Sequence, residues 1–496
     1  MNGIDFLLGE SRIARFGGHA ALICGSETVS YAELAGRVRR CAAALRSLGV
    51  QPGDRVLLLM RDTPEFAATW LGTVHAGAVA IALNSRLPEA DYRHIFLDSG
   101  ARLAIVEDPS VALRPDLGTE LVRLPAWRER VAAAGEIPFH DVTPQTPALW
   151  LYSSGTTGRP KGIVHSHHAI TCVGQSLREL GIGETDRVFT TSRMFFAYGL
   201  EHGLLAPLAL GATSLPCADW PDSAAVIDTV ERHRPAALFS VPTVYRRLLV
   251  EQPARLPALR TVRRCVAGGE RLSAHLADQW RARVGGELLN LYGMSETFCA
   301  CIVTPPGTSD GLRTGKPLAG VELRLADAEG REPPAGQPGV LWVRHPAQAS
   351  GYANLPEETR EQFRDGWFCS RDMFIRDAGG SLVHQGRSDE LLKVAGQWVQ
   401  PGELEEAAAS DAAVSEAACV PVLDADGLER LALFVTARAS AGEALAAAQA
   451  ACERLLPRHK RPKWLRAVAE LPRTATGKVQ RYKLREIIER ELARKD

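Results

Sequence analysis

"YSSGTTGRPKG", residues 152–162, sets two serines, two threonines, three glycines and Lys161 between apolar segments. "TPALWLY" (146–152) before it has the apolar character of a strand, and "GIVHSHHAITCVGQSL" (162–177) after it reads as strand and then helix. The glycines permit unusual backbone dihedrals, and free N–H groups with hydroxyls can ring an anion. Lys161 adds a compact positive charge suited to phosphate oxygens. The pattern GxxxxGK[ST] is not met, because Pro160 stands at its second glycine and Gly162 at its hydroxyl residue. Two readings remain open on the residues alone: a phosphate-binding loop, or a solvated turn.

Working outward, short apolar runs alternate with helical patterns. "TVSYAELAGRVRRCAAALRSLGV" (28–50) carries Leu34, Val38, Cys41, Ala42 and Leu45 at helical spacing behind an N-cap region. "QPGDRVLLLM", "ARLAIVED", "DRVFTTS" and "PAALFSVP" are uniformly apolar runs bounded by Gly, Pro or Asp. Strands apolar on both faces and separated by helices predict α/β architecture with parallel-rich sheets covered by helices. From about residue 311 closely spaced strands and turn dipeptides predict a β-rich, mainly antiparallel subdomain. Beyond residues 386–390 a hairpin, a helix start at Pro401–Glu405, the strand "LALFVTAR" and a basic helical tail predict a small α+β domain. The expected domains are 1–388 and 389–496. The alanine-rich stretch 430–455 is expected to be helical, and no 20–50-residue repeat is present.

A formal net charge of zero gives the molecule no overall attraction to nucleic acid or acidic membranes. No apolar segment approaches the ~20 residues of a membrane span, and the N-terminus lacks a signal-peptide pattern. The ten cysteines are scattered without a CxxC pair, which fits free thiols in a reducing compartment. The expectation is a cytoplasmic protein, with a homodimer as the default assembly.

Four further stretches recur downstream in a fixed order: "NLYGMSET" (290–297), "GWFCSRDMF" (366–374), "GRSDELLKVAG" (386–396) and "PRTATGKVQR" (472–481). With "YSSGTTGRPKG" they resemble the adenylate-forming superfamily of acyl- and aryl-CoA ligases, nonribosomal-synthetase adenylation domains and firefly luciferase. The resemblance covers nearly the whole chain. It implies that Ser153, Ser154, Thr156, Thr157, Gly158 and Lys161 hold the ATP phosphates. It implies that Tyr292 stacks on adenine beside Gly268, Gly269 and Glu270, that Thr297 contacts the α-phosphate and that Glu296 holds Mg²⁺. Asp372 would bind the ribose and Arg387 the ribose or α-phosphate. The family usually has Thr-Gly-Asp where this chain has Ser370-Arg371-Asp372, a departure that bears on loop shape more than on the role of Asp372. Lys478 would bridge the substrate carboxylate and the α-phosphate. Asp389 would be the hinge of a rotating C-terminal domain, and Lys393 and Gly396 would line a tunnel for the coenzyme A thiol.

The resemblance also locates the acyl pocket between residues 193–199, the 267–269 loop and the strand after the adenine motif. "RMFFAYGLEHGLLAPLALGAT" (193–213) resembles benzoate- and hydroxybenzoate-CoA ligases. Ala197, Tyr198, Gly199, Gly293 and Cys299 are the expected substrate contacts, forming a flat apolar slot for a ring. No acid precedes Glu201 in this stretch, which argues against an α-amino acid substrate. The run Phe298–Ile302 departs from the histidine-containing stretch of the benzoate ligases and leaves the exact acid open. Metal readings of "HSHH" (165–168) and of Cys299 with Cys301 are set aside, for want of ligand spacing in the first and for strand alternation in the second.

Taken together, the sequence predicts a ligase that activates an aryl acid with ATP and Mg²⁺ and transfers it to coenzyme A. The alternative acceptor is the phosphopantetheine arm of an acyl-carrier protein. A non-catalytic binding protein of the same fold is disfavoured by the retained Lys161, Glu296, Asp372, Arg387 and Lys478.

Overall fold

The uniformly apolar runs become the inner strands of two large sheets, because strands covered on both faces have no polar side to offer water. The structure, a computed structural model, describes residues 2–108, 118–154, 159–388, 392–394, 397–424, 427–473 and 479–492. Two compact units divide the chain: Met1–Arg324 with Trp342–Ser370 and Asp377–Val383, and Leu325–Leu341 with Arg371–Arg376 and His384–Asp496.

In the first unit one sheet has nine strands. Its central run, Leu288–Gly293, Arg264–Gly268, Ala237–Ser240, Arg187–Thr190, Thr213–Leu215 and Ala20–Cys24, is parallel throughout. Antiparallel strands Ala300–Val303 and Lys316–Pro317 extend one edge and Glu27–Ser30 the other. A seven-stranded sheet holds Pro147–Ser154, Val79–Ala82, Arg55–Leu59, Leu103–Val106 and Glu120–Arg123 in parallel. Pro160–Ser166 returns antiparallel along Pro147–Ser154, so the quoted stretch begins and ends in paired strands, with 155–158 outside the described residues. The Tyr31–Ser47 helix opens on a capping box, Ser30 and Glu33 each bonding the other's backbone N–H. It packs on the Pro64–His75 helix, every residue of which except Glu65 is buried.

Five short strands from Glu322–Ala326 to Leu382–Arg387 form a smaller sheet, of which Phe363–Arg364 and Trp367–Arg376 pair antiparallel. In the second unit Val414–Leu423, Glu429–Ala437 and Trp464–Val468 form a three-stranded sheet with apolar clusters around Leu433 and around Phe434. Those two residues are consecutive and point to opposite faces, so helices cover both sides. The expected helix across 430–455 is confined to Ala441–Leu455. The first part of that stretch is the strand Glu429–Ala437, where β-branched and aromatic residues outweigh the alanines.

One buried ion pair ties the two large sheets. Arg193 Nε lies 3.1 Å from Asp62 Oδ2, and both side chains are almost wholly buried. Asp62 follows the Arg55–Leu59 strand of the seven-stranded sheet, and Arg193 follows Arg187–Thr190 of the other. The remaining guanidinium donors bond the carbonyls of Cys217, Ala218 and Asp219 at 2.7–2.8 Å. The same carboxylate oxygen accepts from Met194 N at 3.0 Å. Burial pushes the Asp62 carboxyl up, while Arg193 and the Met194 N–H pull it back down.

Removing one partner would strand the other charge away from water. Arg193→Met is expected to lower unfolding stability in urea by about 3–5 kcal/mol, and adding Asp62→Leu to recover most of the loss. Equal losses in the single and double variants would assign the stabilisation to the three carbonyl contacts instead.

Candidate active site

The Pro147–Ser154 and Pro160–Ser166 strands carry Ser153 opposite Lys161. Lys161 is buried apart from a small part of its side chain, and its ammonium pairs with Glu358. The same ammonium lies 6.0 Å from the ring centroid of Tyr352. Tyr352 in turn donates its hydroxyl to Glu296 Oε1 at 2.9 Å. Lys161 and Glu296, 135 positions apart in the chain, therefore meet at one tyrosine. The side chain of Ser154, with Thr156, Thr157 and Gly158, lies outside the described residues.

The "YGMSET" segment leaves the Leu288–Gly293 strand through a register shift after Tyr292, and Gly293 pairs with Ala300. Two histidines hold the turn between them. His165 Nε2 bonds Ser295 O at 2.8 Å, and His345 Nε2 bonds Ala300 O at 3.2 Å. Burial depresses both imidazoles to about 4, so they are neutral at pH 7. Phe298 adopts φ +60, the left-handed region, and Cys299 N bonds Thr297 O at 2.6 Å across it. This is a γ-turn with a non-glycine centre, a strained conformation of the kind that collects at functional sites. The Thr297 hydroxyl is fully buried, within bonding distance of the Met294 and Cys299 carbonyls and of the Cys301 thiol.

Along the opposite wall Ala197–Leu200 is a single helical turn followed by a π-turn, Glu201–Leu205. Gly199 admits no side chain, since a Cβ there would lie 2.0 Å from Arg193 O. The Tyr198 ring fills the clearing beside Gly268, where an added Cβ would stand 3.0 Å from its Cζ. Its hydroxyl reaches the carbonyls of Ser240 and Val266, each at 3.3 Å. Phe195 and Phe196 are half-buried and stack on each other with centroids 4.3 Å apart. Gly269 is exposed at φ +79. Glu270 caps the Pro242–Glu251 helix, accepting from Thr243 N and its hydroxyl at 3.1 and 2.7 Å.

Sequence reasoning passed over Glu201 as an ordinary acid beyond the pocket stretch. The structure buries it instead. Its Oε2 accepts from Ala300 N at 3.1 Å and the Cys299 thiol bonds the same carboxyl, so the slot is not wholly apolar. Burial lifts the carboxyl to about 8. The neighbouring His202, with its ring against Tyr198 O and Ser176 Oγ, is held down to about 4 by burial. The available signal was position: Glu201 follows Tyr198 by three residues and shares its helical face.

In the second unit Asp372 Oδ1 lies 3.6 Å from His384 Nε2 and 3.8 Å from Arg387 Nη1. Arg371 takes φ +60, the glycine-like conformation at the position where the sequence departs from the expected glycine. Its carbonyl accepts from Ser388 N at 2.7 Å. The backbone of Lys393 lies in the strand Leu392–Val394, paired with Trp398. Asp389, Gly396 and Lys478 lie outside the described residues.

Among the described residues no three histidines, cysteines, aspartates or glutamates gather as a metal cluster. His167 Nδ1 accepts from Gly3 N at 3.1 Å and His168 contacts Thr171, so the "HSHH" cluster disperses. Cys299 and Cys301 are buried free thiols. The half-buried Glu296 carboxylate suits Mg²⁺, which commonly takes one or two carboxylates together with substrate phosphates. No described helix is long and apolar enough to cross a membrane.

Comparison with known proteins shows the family. The AMP-binding enzyme family model matches residues 9–353, and the model of the AMP-binding enzyme C-terminal domain matches 403–478. The chain is 39% identical over 513 residues to a 3-hydroxybenzoate–CoA/4-hydroxybenzoate–CoA ligase of Thauera aromatica, covering 99% of this chain and 98% of that one. It superposes with a TM-score of 0.87 on a benzoate CoA ligase from Burkholderia xenovorans LB400, at 33% identity, covering 98% and 100% of the two chains. The anthranilate CoA ligase AuaEII, solved with anthranoyl-AMP, gives a TM-score of 0.89 at 29% identity over 98% and 97%.

The raised Glu201 pKa has a thermodynamic signature. The folded protein keeps a proton that the unfolded chain loses near pH 4.5, so stability from this group declines as pH rises through about 8. The depressed histidines act oppositely, but their effect is complete by about pH 6.5. Glu201→Gln keeps an acceptor for Ala300 N. Its Tm is therefore expected to fall less than wild type between pH 6.5 and 8, and parallel curves would show that Glu201 does not titrate there.

Proposed function

The chain belongs to the AMP-binding enzyme family, and from that premise we propose that it activates an aryl carboxylic acid with ATP and transfers it to coenzyme A. In the first half-reaction a carboxylate oxygen attacks the α-phosphorus, the α–β anhydride bond breaks and pyrophosphate leaves. In the second, the coenzyme A sulfur attacks the acyl carbonyl, the bond to AMP breaks and the thiol proton passes to solvent. The products are an acyl-CoA thioester and AMP.

The observation that carries this reading is the meeting of Lys161 and Glu296 at Tyr352. It sets a cation for departing phosphates and a carboxylate for a hard metal ion within one cluster. Lys161, with Ser153, Ser154, Thr156, Thr157 and Gly158, holds the β- and γ-phosphates. Thr297, whose hydroxyl is fully buried against the Met294 and Cys299 carbonyls, must release them to contact the α-phosphate. Tyr292 stacks on adenine beside Gly269 and Glu270, while Asp372 and Arg387 take the ribose. Glu296 holds Mg²⁺, which when bound neutralises phosphate charge. Lys478 supplies the charge that stabilises the transition state between carboxylate and α-phosphate. The acid's ring occupies the slot beside Tyr198, Gly268 and Gly293. No protein nucleophile is needed, which accords with buried thiols whose pKa values are all raised by burial at Cys41, Cys265, Cys299 and Cys301.

Pyrophosphate release measured across aryl and aliphatic acids, with and without coenzyme A, tests the proposal. Expected are acid-dependent release with benzoates and an aryl-CoA product when coenzyme A is present. A preference for fatty acids would overturn the aryl assignment, and benzoate activation without thioester formation would favour a carrier-protein acceptor.

Glu358 competes with the phosphates for Lys161. Glu358→Gln is expected to lower KM for ATP by about fivefold, the equivalent of ~1 kcal/mol for a partly exposed pair, with little change in kcat. A raised KM in steady-state assays would instead make Glu358 a positioning residue for the lysine.

A further inference from the structure

One buried acid has no part in the two half-reactions. Glu201 leaves only 3% of its side chain exposed, and among the described residues no lysine or arginine pairs with it. His202 Nδ1 stands 3.5 Å from Oε2, but that imidazole is neutral and committed to Tyr198 O and Ser176 Oγ. A carboxyl buried without a counter-ion is held as the acid, which offers one O–H donor and one carbonyl acceptor.

Its position gives that chemistry a target. Tyr198 and Glu201 stand three residues apart on one helical face. Tyr198 packs at Gly268, the C-terminal end of one parallel strand, and Glu201 bonds Ala300 N, the residue paired with Gly293 at the end of the next. Ligands of open α/β sheets bind outside these strand ends. The π-turn begins at Glu201 itself, and such interruptions of regular helix are frequent at functional sites. Residues 268, 293 and 300 at these strand ends are Gly, Gly and Ala, so no side chain larger than a methyl stands among them.

We propose that Glu201 is a specificity-determining residue that hydrogen-bonds a hydroxyl or amino substituent on the ring of the aryl acid, so that the enzyme selects a substituted benzoate over benzoate. The inference rests on the aryl-acid reading above and sharpens its substrate class. With Ala300 N and the Cys299 thiol on its acceptor side, the acid keeps its O–H to donate, and a ring substituent that accepts it is favoured over one that cannot.

The test compares kcat/KM for pyrophosphate release with benzoate, the three hydroxybenzoates, the three aminobenzoates and the three methylbenzoates. Methyl matches hydroxyl in size without its hydrogen bonds. In wild type, one hydroxy or amino isomer is expected to exceed both benzoate and its methyl isostere by at least about tenfold; the two series tell an alcohol from an amine. Glu201→Leu is expected to collapse that ratio, mainly through KM, and Glu201→Gln to retain part of it. A purely structural role would slow all acids by a common factor and leave the ratio intact, which would overturn the proposal. Should Glu201→Leu fail to fold, the wild-type comparison still decides: equal rates for the hydroxy or amino acid and its methyl isostere would overturn it. Absence of release with every aryl acid would instead remove the aryl-acid reading on which it stands.

Discussion

Asp62 and Arg193 meet where neither retains appreciable contact with water, and the first unit's two large sheets converge on that contact. A buried ion pair is a poor source of net stability, because desolvation offsets most of the Coulomb attraction. Its value here is positional. The guanidinium satisfies its donors on a carboxylate from one sheet and three successive carbonyls, Cys217 to Asp219, beside the other. With Arg193 fixed, the backbone at 193–199 has little freedom. Gly199 is pressed against the Arg193 carbonyl so closely that no side chain fits, and Tyr198 is delivered to Gly268. The placement of Tyr198 beside Gly268 thus depends on a charge pair that touches neither.

Irregular backbone gathers on the far side of the same slot. Regular strand pairing would carry the chain from Gly293 straight into Ala300–Val303. The segment between them instead contains a γ-turn at Phe298, pinned by His165 and His345 through backbone carbonyls. Left-handed conformations cost a non-glycine residue on the order of 1–2 kcal/mol. Burial of the Phe298 ring, 5.3 Å from the His165 ring centroid, offsets that cost, since burying such a side chain is worth roughly 1.5–3 kcal/mol. The strain keeps Thr297 and Glu296 on a rigid support. Histidines suit this role because burial keeps them neutral, so they join carbonyls without adding charge beside Glu296.

Much of this was readable from residue order. The parallel-rich sheets follow from uniformly apolar runs, and the spaced motifs single out Lys161 and Glu296, which the fold brings to one tyrosine. Glu201 was legible only as a neighbour of Tyr198 on one helical face, because a glutamate in a helix is by default a solvated surface acid. Only the chain folding back at Ala300 covers it, and that contact spans 99 positions. Arg371 was half readable. Sequence flags a bulky residue where glycine is usual, and the backbone keeps the glycine-like φ regardless, so the loop geometry outlasts the loss of the residue best suited to it. Over 430–455 the two sequence readings compete, and the strand "LALFVTAR" prevails over the helical expectation in the first part while the helix holds from Ala441. Helix propensity is a weak prior, and strand partners on both sides of Glu429–Ala437 decide its conformation.

The Lys161–Glu358 pair brings loop and scaffold into one account. The Lys161 ammonium is mostly buried, and it rests on an anion whose own side chain stays a quarter exposed. Glu358 supplies it from the Pro356–Gln362 helix, and Tyr352 lends its ring face. Arrival of a polyphosphate therefore exchanges one anion for another rather than creating a new ion pair. The net gain is a difference between two charge-assisted contacts, smaller than either alone. Such an arrangement keeps the lysine paired in the absence of ligand and limits the net gain from any anion that replaces Glu358. On the proposed role of Lys161, that restraint helps release of the leaving pyrophosphate, since binding that is equally strong before and during the reaction does not lower the barrier.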